Sequence, residues 1–170
     1  MSPGDVYVLN DPYHGGTHLP DVTVITPVYL GTAATDRPLF YVGSRGHHAD
    51  IGGITPGSMP PDSRVVEEEG VLIDNFRLVE AGRFREAALV DVLTGHRYPV
   101  RNVMQNVADL KAQIAANEMG VRELRKMVAH FGLEAYGEGL FGKLLHGRVF
   151  LPERMLGWVR PNFRVLAGFP

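Results

Sequence analysis

From Arg101 onward the apolar residues keep a helical period, and this long stripe limits more than any other feature what the chain can become. Val103, Val107, Leu110, Ile114, Val121, Leu124, Val128 and Phe131 recur at spacings of three, four or seven, which puts them on one face of an α-helix. A stripe of that length must be covered by other elements. Gly132, directly after Phe131, reads as the helix stop. Asn117 falls where the stripe calls for a core residue. It is either a buried amide with partners or a side chain aimed at a site, and the first is the plainer expectation.

The cover has to come from the preceding hundred residues, where short runs rich in Val, Ile, Tyr and Phe alternate with Gly and Pro. Val6–Leu9, 22–30 and 39–43 read as strands, and 71–78 as a further one that ends in a turn at Glu80, Ala81 and Gly82. Between them lie two polar loops, 10–21 and 44–63, placed where strand-held loops usually carry sites. The expected class is therefore α+β: mixed β-strands with Gly/Pro-rich site loops, followed by one long amphipathic helix. With 170 residues, 45% of them apolar, one ordinary domain can bury a core. After residue 135 the text changes: Gly137, Gly139, Gly142 and Gly147 break any period, and 136–170 reads as an atypical, truncated or frame-shifted tail.

Charge narrows the function. The formal net charge is −2 with both signs scattered, so the chain lacks the basic face that phosphate backbones or anionic membranes require. The absence of cysteine leaves any metal to His, Asp and Glu and removes a thiol nucleophile. MSPGDVYVLND carries no basic leader, and no apolar run approaches the roughly 20 residues of a membrane span. A cytoplasmic protein is expected.

The chemistry concentrates in NDPYHGGTHLPD (10–21) and RGHHADIGG (45–53), which together hold four of the seven histidines. Imidazoles and carboxylates in Gly-rich loops can converge on a catalytic metal, because glycine lets the backbone bend. His18 and Asp21 share one short turn around Pro20, and either His47 or His48 would complete two histidines and a carboxylate. The plain alternative is turn chemistry, with Asp11 before Pro12 and Asp50 before Gly52 as ordinary turn formers. Glu69, last of Glu67, Glu68 and Glu69, is a candidate general base, though such runs are usually a solvated face. Arg101, Asn102, Asp109 and Gln113 are the helix residues that can send polar groups toward the loops. GEGLFGK (137–143) satisfies GxGxxG and most of a phosphate loop, but Leu144 stands where a Ser or Thr should meet magnesium, and no strand precedes it.

Read whole, GDVYVLNDPYHGGTHLPDVTVITPVY, SRGHHADIGGITPGSMPPDS, EEEGVLIDNF and RNVMQNVADLKAQIAANEMGVRELRKMV resemble the hydantoinase B/5-oxoprolinase family. The resemblance covers roughly residues 3–136, with 1–135 as a partial domain, and looks closest to the B-type half of ATP-dependent 5-oxoprolinase. It implies a metal-bearing half that opens a cyclic amide such as 5-oxoproline, giving glutamate, with ATP bound by an A-type subunit or missing half. It further implies an oligomer, and His18, Asp21 and His47 as ligands of a divalent zinc, manganese or iron. His48 is the lesser candidate, since a bulky aromatic can fill its place in the family. His14 is implied as a proton-transfer group and Asp50 as a residue that orients His47. The family has a further carboxylate ligand upstream of the Gly-Asp start, which this chain is expected to lack. Three readings stay open: the 5-oxoproline hydrolase, an inactive fragment that only docks on its partner, and a relative that acts on a hydantoin or carboxylates a ketone.

Overall fold

A computed structural model describes residues 1–29, 38–57 and 60–131. The chain divides into two units, Met1–Glu118 and Met119–Pro170. In the first, five strands form one antiparallel sheet in the order β3-β2-β1-β4-β5. These are β1 Val6–Leu9, β2 Asp21–Val28, β3 Phe40–His47, β4 Phe76–Glu80 and β5 Arg83–Phe84. Three helices follow in chain order: a single turn α1 Val66–Glu69, α2 Glu86–Thr94 and the long α3 Val103–Phe131. The class is α+β, as the patterning implies.

Alternation along the strands sorts the side chains into two faces. Val6 and Val8 of β1 and Val22 and Val24 of β2 join Leu89 and Leu93 of α2 and Val107 and Leu110 of α3 in one buried cluster. The helices therefore cover one face of the sheet. Asp21, Thr23, Arg45 and His47 occupy the other face, at the end where β2 begins and β3 finishes.

Amides fasten α3 to the sheet. Gln113 Nε2 donates to Val22 O and Ser44 O at 3.0 and 3.2 Å, and Asn117 Nδ2 donates to Val24 O, Thr26 Oγ1 and Val42 O at 3.0 to 3.3 Å. Asn117 is thus a buried amide whose Nδ2 is held by the sheet. A helix start is built at Asn102, whose Oδ1 accepts from Gln105 N at 3.1 Å while its Nδ2 donates to Gln105 Oε1 at 3.2 Å. The first bond satisfies one of the backbone donors that a helix start leaves orphaned. Of the expected stripe, Val107, Leu110, Val121 and Val128 are buried.

Several expected boundaries shift. β3 runs four residues beyond Gly43, so His47 ends a strand and does not lie in a loop. β4 starts at Phe76, not at 71. Val71 and Ile73 are buried as expected of a strand, but Val71 N donates to Ile51 O and Ile73 N to the Asn10 side chain. Those bonds hold the segment under the sheet without adding it to the ladder. The stop at Gly132, the GEGLFGK stretch and the 136–170 tail lie outside the described residues. No described helix is long and apolar enough to cross a membrane.

Candidate metal centre

The ladder itself brings the site together. Asp21, first residue of β2, is registered opposite His47, last residue of β3. His18 comes from the turn just upstream, closed by Asp21 N donating to His18 O at 3.0 Å. His47 Nδ1 lies 2.9 Å from Asp21 Oδ1, and His18 Nδ1 lies 3.3 Å from Asp21 Oδ2. The two imidazoles stand 5.2 Å apart, tilted by 34°. Thr17 Oγ1 donates to the same oxygen, Asp21 Oδ2, at 2.9 Å. One ligand atom from each of His18, Asp21 and His47 falls within 4.8 Å of the others. Two imidazole nitrogens and one carboxylate oxygen are a donor set that zinc, manganese and iron accept, so the residues fit the implied ion.

Burial pushes the Asp21 carboxyl up, but the hydrogen bonds from His47 and Thr17 and the charges of His18 and His47 outweigh it and hold it below the usual carboxylate range. Asp21 stays ionised. The site is open to solvent, with the His47 side chain 62% exposed and that of Asp21 24%.

The other expected residues go elsewhere. Asp50 was expected to orient His47; instead Arg101 takes its carboxylate, with Nη1 at 2.6 Å from Oδ1 and the Arg101 backbone N donating to Oδ2 at 2.9 Å. Its position before Gly52 puts it in a turn that Arg101 clamps to the start of α3, while His47 is already held by Asp21. Glu69 Oε1 accepts from Ser63 Oγ at 3.0 Å, which makes it a brace for the α1 turn. His48 is buried, with Nδ1 2.7 Å from Asn106 Oδ1 and Nε2 3.2 Å from Gln113 Oε1, so it fastens α3 and is not a ligand of the trio. His14 lies outside the trio, in a second group with Asp11 and Asp74. Its Nδ1 is 2.6 Å from Asp11 Oδ2. That bond, then the Asp11 charge, raise the His14 pKa, and the same bond lowers that of Asp11.

The family described as Hydantoinase B/oxoprolinase matches residues 1–144. The chain belongs to that family. It is 45% identical over 141 residues to 5-oxoprolinase 1 of Arabidopsis thaliana, a match covering 78% of this chain and 11% of that protein. To 5-oxoprolinase of Dictyostelium discoideum it is 47% identical over 131 residues, covering 77% of this chain and 10% of the relative. The crystal structure of the ATP-dependent caprolactamase from Pseudomonas jessenii superposes with a TM-score of 0.65 at 30% identity, over 78% of this chain and 22% of that one. An acetone carboxylase structure gives 0.67 at 25% identity, over 78% and 16%. The chain thus spans about a tenth of the length of the 5-oxoprolinases it matches.

Within this hydantoinase B domain, two residues near the trio escape a reading of the sequence. Asn10, wholly buried, donates to Leu19 O and Val71 O at 2.9 Å and accepts from Ile73 N at 2.7 Å, which pins the site loop to the core. Standing before Asp11 and Pro12, it looks like one more turn residue. Arg45 reaches from β3 to the same loop, donating from Nη2 to Gly15 O at 3.0 Å and from Nε to Thr23 Oγ1 at 2.9 Å. Only the alternation of β3, once known to extend to His47, reveals that it shares a face with the trio. Asp109 and Gln113 line a cleft of about 370 Å³ between the end of β3 and α3, which His47 borders.

Proposed function

We propose that this chain is the metal-holding part of an ATP-dependent cyclic-amide hydrolase that opens 5-oxoproline to glutamate. The observation that carries the reading is the convergence of His18, Asp21 and His47 at the β2–β3 end, in a chain whose relatives include 5-oxoprolinases and a caprolactamase. A divalent ion held by these three would supply Lewis acidity toward an amide carbonyl. ATP belongs to an A-type subunit or half outside this chain.

The chain's own residues have distinct tasks. Asp21, kept ionised, supplies the negative charge of the site. Thr17 and His47 each orient one of its two oxygens. His14, fixed through Nδ1 by Asp11, keeps Nε2 for proton exchange with the departing ring nitrogen, which must gain a proton when the amide opens. Likeness to the acetone carboxylase supports a second reading on the same fold, in which a ketone is carboxylated.

The deciding measurement is elemental analysis of the purified, chelator-rinsed chain beside His18→Ala and His47→Ala. About one equivalent of metal in the parent and loss in both variants is expected. A parent chain that holds none would overturn the reading. Glutamate released from 5-oxoproline only when an A-type partner and ATP are added is the activity expected; no release from a metal-loaded complex would leave the docking fragment.

A further inference from the structure

We propose that Arg45 is the receptor for a substrate carboxylate, so that the site beside the trio takes an anionic cyclic amide and discriminates against neutral ones. The inference rests on the function proposed above. Arg45 and His47 are two residues apart on β3, and their β2 partners Thr23 and Asp21 are likewise two apart. Alternation puts all four side chains on one face, and two residues of strand separate the pairs by about 6.8 Å. The sheet, not a loop, therefore carries a guanidinium next to the trio.

Its posture is set by two bonds to neutral acceptors, Thr23 Oγ1 at 2.9 Å and Gly15 O at 3.0 Å. These occupy two of the five N–H donors of an arginine and leave the rest of the fork. Among the described residues no carboxylate pairs with Arg45, whereas Arg77 and Arg85 face Glu80 and Arg101 faces Asp50. An anchored, exposed guanidinium without a counter-charge matches a carboxylate in planar geometry and charge. 5-Oxoproline carries its carboxylate on the ring carbon bonded to the amide nitrogen. The anion and the carbonyl are thus separated by that nitrogen, and one small ring can reach both the guanidinium and the trio. A phosphoryl group offers similar oxygens, and inorganic phosphate tests that source separately.

The experiment titrates the 170-residue chain, with and without added zinc or manganese, with 5-oxoproline, 2-pyrrolidinone and inorganic phosphate by calorimetry. The parent should bind 5-oxoproline at least about tenfold more tightly than 2-pyrrolidinone, as one charge-assisted hydrogen bond implies. Arg45→Gln should erase that difference while retaining metal, and Arg45→Lys should restore part of it. Equal binding of the two lactams by the parent, or none of 5-oxoproline, overturns the proposal without need of any variant. So does Arg45-dependent binding of phosphate with no Arg45-dependent binding of 5-oxoproline, or loss of metal in Arg45→Gln, which would make Arg45 a support of the trio. A metal-free parent that still prefers 5-oxoproline through Arg45 would sink the metal reading and leave this one standing.

Discussion

The Asp11–His14 pair shows how a turn residue and a loop histidine become one electrostatic unit. Asp11 Oδ1 accepts from Tyr13 N at 2.8 Å, an ordinary turn bond, and the other oxygen holds His14. The histidine's pKa is raised from 6.5 by the bond to Asp11 and then by its charge, and the aspartate's is lowered from 3.8. The raised His14 value contributes stability that is fully present below pH 6.5 and is lost as pH climbs through the folded-state value. The depressed Asp11 value contributes stability present above 3.8 and lost as pH falls through its own folded-state value. The pair therefore supports the loop most between those two limits. In an NMR titration, Asp11→Asn should bring the His14 midpoint down, and thermal melts should separate parent from variant near pH 6 more than at either extreme. An unmoved His14 midpoint would mean that the pair does not form in solution. Both residues could be read as turn and loop chemistry in the sequence; their pairing could not, because Gly15 and Gly16 give no regular period from which to place a side chain.

At the scale of elements, the meeting of β3 with α3 was the part least visible beforehand. Gly43 and Gly46 weaken β3 as a strand pattern, and a reading by propensity ends it at Gly43. The structure uses Gly46 for a different reason: a Cβ there would come within 3.2 Å of the Gln113 amide. Without it, Gln113 reaches the carbonyls of Val22 and Ser44 on adjacent strands. The helix itself was legible because its stripe is long. α2 was not, since EAALVDVLT is short and its apolar residues suit a strand as well as a helix. The HxxD turn with His47 was legible by residue type and family resemblance, while the strand end that aligns them was not. Gly46→Val should displace Gln113 and cost about 2 kcal/mol by urea denaturation, the range of overpacking. Gln113→Ala, which vacates that space, should make the second substitution cheaper than the sum of the two. Strict additivity would show that the amide does not occupy the space above Gly46.

Across the Met1–Glu118 unit, one cluster joins the sheet to both helices, and this bears on how the site persists. Leu89 and Leu93 of α2 are fully buried in the cluster that also holds Val22 and Val24 of β2, the strand that Asp21 opens. Asn10 extends the link, since its three bonds tie the end of β1 to the loop that leads to His18 and to the Val71–Ile73 segment below. Asp21 thus opens a strand of the same core that the two longer helices share. Loss of packing at α2 should therefore be felt at the His18–Asp21–His47 trio, and not as local fraying of a helix. Leu93→Ala removes side-chain volume from a fully enclosed position and should cost about 3 kcal/mol. Followed by NMR in urea, the amide signals of Val24 in β2 and Leu89 in α2 should share one midpoint in the parent and move together in the variant. If the Val24 midpoint held while that of Leu89 fell, the sheet would carry the trio independently of its helices.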